Sequence, residues 1–131
     1  MVRRAETALL SPRQLEIMNI IWDRGKATVA EVWEVLSARH RLARNTVQTL
    51  ITRLEEKGWL GHEEDGPAYR YYARRCRDST VRSLLDQMVG TVFAGSADSL
   101  VMTLLESRGV SPEEAERIRQ MIAKAERGQY E

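Results

Sequence analysis

Three short signatures fix where helices must begin in this chain, and so limit its folds before any other feature is considered. Ser11-Pro12-Arg13-Gln14 and Thr28-Val29-Ala30-Glu31 are capping boxes, and Ser111-Pro112-Glu113-Glu114 repeats the pattern. In such a box the Ser or Thr oxygen accepts an orphan backbone N–H of the first turn. The side chain three residues on reaches back to the cap N–H. Proline at the first helical position reinforces the first and third starts. The first signature predicts a helix through Trp22, stopped by Gly25. The second predicts one with Val29, Val32, Trp33 and Leu36 on a single stripe. The third opens a helix carrying Ile118, Met121, Ile122 and Ala125.

A further helix is written by RNTVQTLITRLEEKGWL. Val47, Leu50, Ile51 and Leu54 recur at i, i+3, i+4 and i+7, which predicts an amphipathic helix from about Ala43 to Lys57, with Gly58 as the stop. Its other face carries Arg44, Asn45, Gln48, Thr49, Thr52 and Arg53. A plain solvated face would be laced with Glu and Lys at i,i+4 spacing. Amides bond adenine edges bidentately, and a threonine offers a hydroxyl plus a methyl for thymine. A helix entering a major groove presents such groups near its N-terminal end, so Asn45, Thr46, Gln48 and Thr49 are the expected base readers. Arg44 and Arg53 suit phosphates.

Residues 59–63 and 69–74 read as short strands around an Asp65-Gly66-Pro67 turn, a hairpin with Tyr69 and Tyr71 on one face and Arg70 and Tyr72 on the other. Helix, helix, helix, hairpin is the order of a winged helix-turn-helix domain. Arg70 and Arg74, with Arg75, are the expected backbone contacts of the wing, whose tip Glu63-Glu64-Asp65 is acidic and repels phosphate. Lys26 and Thr28 stand at the start of the second helix, where backbone N–H groups and the helix dipole favour a phosphate.

Residues 78–131 have another character. Val81, Leu84, Leu85, Met88, Val89, Val92 and Phe93 form a heptad-like seam, and a Gly95-Ser96 break leads to a short helix with Leu100, Val101, Leu104 and Leu105. So short a segment cannot cover this much apolar surface by itself, and a second copy of the chain is the simplest cover. The expected interface comprises Leu84, Leu85, Met88, Val92, Phe93, Leu100, Leu104, Ile118, Met121 and Ile122. The fold class expected is therefore mostly α with a small β-hairpin: a winged helix-turn-helix domain over 1–77 and a three-helix dimerisation arm over 78–131.

Bulk properties narrow the function. The 131 residues carry a net charge of +1, but unevenly. Residues 1–77 hold 14 Lys+Arg against 10 Asp+Glu, and residues 78–131 hold 6 against 9. The basic excess falls where the polar-faced helix lies. No apolar run is long enough to span a membrane, and MVRRAETALLSP lacks the apolar core of a leader, so a cytoplasmic protein without membrane insertion is expected. The single Cys76 excludes an internal disulfide, and His40 and His62 are too isolated for a metal site, so no metal or cofactor is expected. Nothing pairs a nucleophile with a base or forms a phosphate loop, which argues against an enzyme.

With these residues in view, the chain resembles the penicillinase repressor (BlaI/MecI/CopY-type) family of bacterial transcriptional repressors. LEIMNIIWDRG, NTVQTLITRLEEKGWL, YRYYA and SLVMTLL carry the resemblance, which spans nearly the whole chain. It implies a homodimer that occludes a promoter by binding a palindromic operator, controlling antibiotic-resistance or stress genes. It also implies a membrane sensor-protease as a partner. Readout positions would fall on Asn45, Thr46, Gln48, Thr49 and Arg53, although the family often has a basic residue where this chain has Asn45 and Gln48. Staphylococcal members are cleaved at an Asn-Phe bond in the fifth helix, and the matching bond here is Thr103–Leu104. The cysteine cluster of the copper-responsive branch is absent. Two other readings of the residues remain: a winged-helix module that docks a partner protein, and a repressor that responds to a small molecule. The operator, the regulated genes and the inducing signal are not written in the chain.

Overall fold

The structure, a computed structural model, describes residues 10–128. The opening residues 1–9, and with them most of the stretch judged against a leader peptide, lie outside the described residues.

The capping signatures start helices as expected. Helix α1 spans Pro12–Arg24; the Ser11 Oγ accepts from the Gln14 N–H and the Gln14 side chain accepts from the Ser11 N–H, so the box is closed in both directions. Gly25, at φ 86°, ends it in a conformation that L side chains rarely adopt. Helix α2, Val29–Ser37, is capped reciprocally by Thr28 and Glu31. Helix α3, Arg44–Glu56, begins at Ala43, whose methyl group supplies no side-chain cap.

Strand β2, Leu60–Asp65, and strand β3, Ala68–Ala73, form the expected hairpin. Pairing continues through Asp65↔Ala68, so the turn is Gly66-Pro67 alone and the second strand ends one residue earlier than read from the sequence. A third strand, β1 (Lys26–Ala27), pairs antiparallel with β3 and gives the sheet order β1-β3-β2. Two residues are too few for any alternation to register, which is why the sequence showed only a loop there.

Two compact units divide between Gln87 and Met88, further along than the 77/78 change of character in the sequence. In the first unit the apolar stripes meet: Ile17, Met18 and Ile21 of α1, Val32 and Leu36 of α2, and Val47, Ile51 and Leu54 of α3 are fully buried with Leu60. Trp59 and Tyr71 close this core from the hairpin side. Trp22 and Trp33 pack at its edge, and both indole N–H groups find carbonyls, of Arg75 and Leu42.

Helix α4, Arg77–Thr91, runs from the first unit into the second. Helices α5, Ala97–Arg108, and α6, Pro112–Glu126, complete the second unit. The apolar seam outlasts α4: Val92 and Phe93 lie in the following turn, where Ala94 (φ 54°) and Gly95 (φ 86°) both take positive φ. Ser111 caps α6 by accepting from the Glu114 N–H, a one-way cap and not the reciprocal box expected from the sequence. No side chain of α5 or α6 is buried.

Candidate nucleic-acid interface

Burial of Val47, Ile51 and Leu54 fixes the rotation of α3 about its axis. Arg44, Asn45, Thr46, Gln48, Thr49 and Arg53 are consequently all exposed, on the surface opposite the core. Helix α2 precedes α3 across a short connection, so the pair forms a helix-turn-helix with α3 as its outward-facing second helix. The six side chains named from the sequence thus share one continuous surface.

The hairpin lies beside the start of that helix. A cleft of about 420 Å³ is bounded by Thr28, Val29 and Ala30 of the α2 start, Arg44 and Gln48 of α3, and Pro67, Ala68, Tyr69 and Tyr71 of the hairpin. Tyr71 is buried, which raises its phenol above the usual range; the nearby Glu55 carboxylate raises it further, while a hydrogen bond with the Gln48 side chain works the other way. Gln48 and Tyr71 line the same cleft, so this α3 side chain sits beside the wing. His62 stacks on Tyr69, with ring centroids 4.2 Å apart, and pairs with Glu55 of α3, which ties the hairpin root to the same helix. Sequence reasoning saw His62 as an isolated surface residue, since its partners lie on other elements.

The basic residues assigned to phosphates divide into two groups. Arg44, Arg53 and Arg74 are exposed. Lys26 and Arg70 are engaged within the domain: Lys26 Nζ donates to Glu63 Oε2 at 2.7 Å, and Arg70 Nε donates to Asp65 Oδ2 at 2.6 Å. A second contact joins Arg70 to Glu31 at 3.6 Å. The Asp65 hydrogen bond, then the charges of Glu31 and Asp65, push the Arg70 guanidinium still higher than its ordinary value. The guanidinium of Arg75 lies over the Trp59 ring, 4.3 Å from its centroid. Thr28 keeps its oxygen on the Glu31 N–H as the α2 cap.

Among the described residues no three His, Cys, Asp or Glu side chains gather as metal ligands would. No helix among them is long and apolar enough to cross a membrane. A three-helix core, a small antiparallel sheet and an outward polar second helix make a winged-helix fold. The model of the penicillinase repressor family matches residues 10–124 of the chain.

The chain belongs to the penicillinase repressor family.

Family membership makes it a winged-helix DNA-binding transcriptional repressor and not an enzyme. Over 119 residues it is 28% identical to the methicillin resistance regulatory protein MecI of Staphylococcus aureus, a match covering 91% of this chain and 97% of that protein. Over 126 residues it is 32% identical to the transcriptional regulator BlaI of Mycobacterium tuberculosis, covering 95% and 90% respectively. The solution structure of the DNA binding domain of the repressor BlaI superposes with a TM-score of 0.50 at 30% identity, over 53% of this chain and 84% of that domain. For a penicillinase repressor of this pattern, the residues that sequence reasoning missed are Tyr71 and Glu55 beneath the reading face and the acidic partners of Lys26 and Arg70.

Proposed function

We propose that this penicillinase repressor acts as a homodimer that occupies a palindromic operator and excludes transcription from the promoter it covers. The exposed polar face of α3 is the observation that carries the reading. Asn45, Thr46, Gln48 and Thr49 contact base edges in the major groove, and Arg44, Arg53 and Arg74 neutralise phosphates around them. Two α3 helices, about one helical turn apart on the duplex, read the two half-sites. Likeness to a methicillin resistance regulator and to BlaI supports antibiotic-resistance genes as the targets.

The partner surface of the dimer is the apolar face of the arm. Leu85 and Val81 of α4 are exposed, as are Leu104 of α5 and Met121 and Ile122 of α6. Linkage of two half-site contacts multiplies operator affinity, so any event that separates the arms releases the DNA. Cutting at Thr103–Leu104, within α5, by a membrane sensor-protease is one such event.

The test is an electrophoretic mobility shift on the promoter fragment upstream of the protein's own gene. Wild type is compared with Gln48→Ala plus Thr49→Ala at low and high salt. Specific retardation by wild type, reduced to weak and salt-sensitive binding in the double variant, supports the reading. Equal binding by both proteins removes α3 as the reading helix.

A further inference from the structure

We infer that the wing of this repressor is internally neutralised, so that it holds down sequence-independent DNA affinity instead of adding to it. The inference rests on the DNA-binding role proposed above. Wing residues in repressors of this architecture are expected to supply cations to the phosphate backbone. Here the hairpin carries three carboxylates, Glu63, Glu64 and Asp65, against the single guanidinium of Arg70.

The sheet register brings these charges together. Arg70 is opposite Glu63 on β2, and Tyr72, two residues on, is opposite both Gly61 and Lys26. Side chains two residues apart share a face, so Lys26, Glu63, Asp65 and Arg70 all lie on the face away from Tyr69 and Tyr71. Lys26 reaches across β3 to Glu63, and Arg70 is held between Asp65 at the hairpin tip and Glu31 at the start of α2. Each cation is thus matched by a carboxylate before any phosphate arrives. Glu64 adds a further negative charge on the same strand.

Position makes this consequential. The hairpin and α3 share the cleft lined by Arg44, Gln48, Ala68 and Tyr69. Charge on the hairpin therefore lies on the element beside the docking helix, and its repulsion of phosphates is felt most where salt screens it least. Repulsion from the wing falls equally on every sequence, whereas the base contacts of α3 are made only on the operator. The penalty leaves the ratio of specific to non-specific affinity as the base contacts set it but lowers the absolute affinity for bulk DNA, so that only the operator, with its added base contacts, holds the repressor.

Fluorescence anisotropy with the full chain tests this, using a mixed-sequence duplex and the promoter fragment over a salt series. Glu63→Gln plus Asp65→Asn frees Lys26 and relaxes Arg70. A variant with the same change in net charge, Glu113→Gln plus Glu126→Gln on α6, is the control. The wing variant should bind the mixed-sequence duplex several-fold more tightly than wild type, with a log–log salt slope steeper by about 1–2, since each phosphate neutralised contributes ~0.9. Promoter binding should gain by about the same factor, so the specificity ratio holds while both affinities rise. Lys26→Gln in wild type should change the slope little, but should cancel part of the gain in the wing variant. Two results would overturn the inference: an equal gain in the control, or an unchanged slope in the wing variant with flattening by Lys26→Gln alone. A wild type that binds neither duplex at any salt would instead remove the DNA-binding role itself.

Discussion

The indole N–H of Trp22 donates to the carbonyl oxygen of Arg75 at 2.8 Å, joining two residues 53 positions apart in the chain. The bond fastens the end of α1 to the segment between the hairpin and α4. Arg77 strengthens the same junction: its guanidinium lies 5.4 Å from the Trp22 ring centroid and donates to Asp23 Oδ1 at 2.7 Å.

Trp22→Phe keeps most of the apolar contact but removes the indole N–H that donates to the Arg75 carbonyl. Loss of a partly buried hydrogen bond of this kind costs about 1–3 kcal/mol. Urea unfolding should show that decrease, with DNA binding below the transition unchanged. A variant as stable as wild type would mean that solvent replaces the indole at no cost.

The close approach of Gly61 and Tyr72 carries a second prediction. A Cβ on Gly61 would meet the Cζ and hydroxyl of Tyr72 at 2.7 Å, so the ring lies directly across the glycine. Gly61→Ala must push the ring aside, an overpacking that costs about 1 kcal/mol, at the low end because the end of a side chain yields more readily than backbone. Adding Tyr72→Ala should remove most of the penalty that Gly61→Ala carries. If the two losses simply add, the contact is not the cause.

Much of this fold was legible because its signals are local. Ser11, Thr28 and Ser111 announced their helices through residues three positions away, and the stripe of Val47, Ile51 and Leu54 fixed which face of α3 would be free. What stayed hidden was pairing across elements. Lys26 and Arg70 read as free cations because Glu63, Asp65 and Glu31 become their neighbours only when the register is set. His62 looked isolated for the same reason: the β2–β3 pairing sets it opposite Tyr71, and α3 brings Glu55 against it.

Tyr71 gives the unit a dependence on alkaline pH. Burial first, and the Glu55 charge second, raise its phenol above the value it has in the unfolded chain. Between the two values the unfolded chain has lost a proton that the folded chain keeps, so stability is full below the unfolded value and falls as pH rises towards the folded one. Urea unfolding from about pH 8 to 11, spanning the ordinary phenol value near 10, should show this decline. Tyr71→Phe, which removes the titrating hydroxyl, should flatten it relative to wild type. Parallel pH profiles for the two proteins would show that other groups set the dependence.

The arm yields the last prediction. Val92 is 70% exposed, Met102 55%, Ile122 53% and Leu104 51%, and neither α5 nor α6 buries a single side chain. A unit with no interior of its own gains little from folding alone, so its order and its self-association should be one event. Sedimentation equilibrium of the full chain should therefore report a dimer. Leu104→Glu plus Ile122→Glu would place unpaired carboxylates in the partner surface, where desolvation costs several kcal/mol per ion. The dimer should weaken by roughly 100-fold or more, since each 1.4 kcal/mol is a factor of ten. Helicity should fall with it, while the unit ending at Gln87 keeps its own unfolding transition. A wild-type monomer with a fully helical arm would contradict the coupling, because such an arm would have found its stability without a partner.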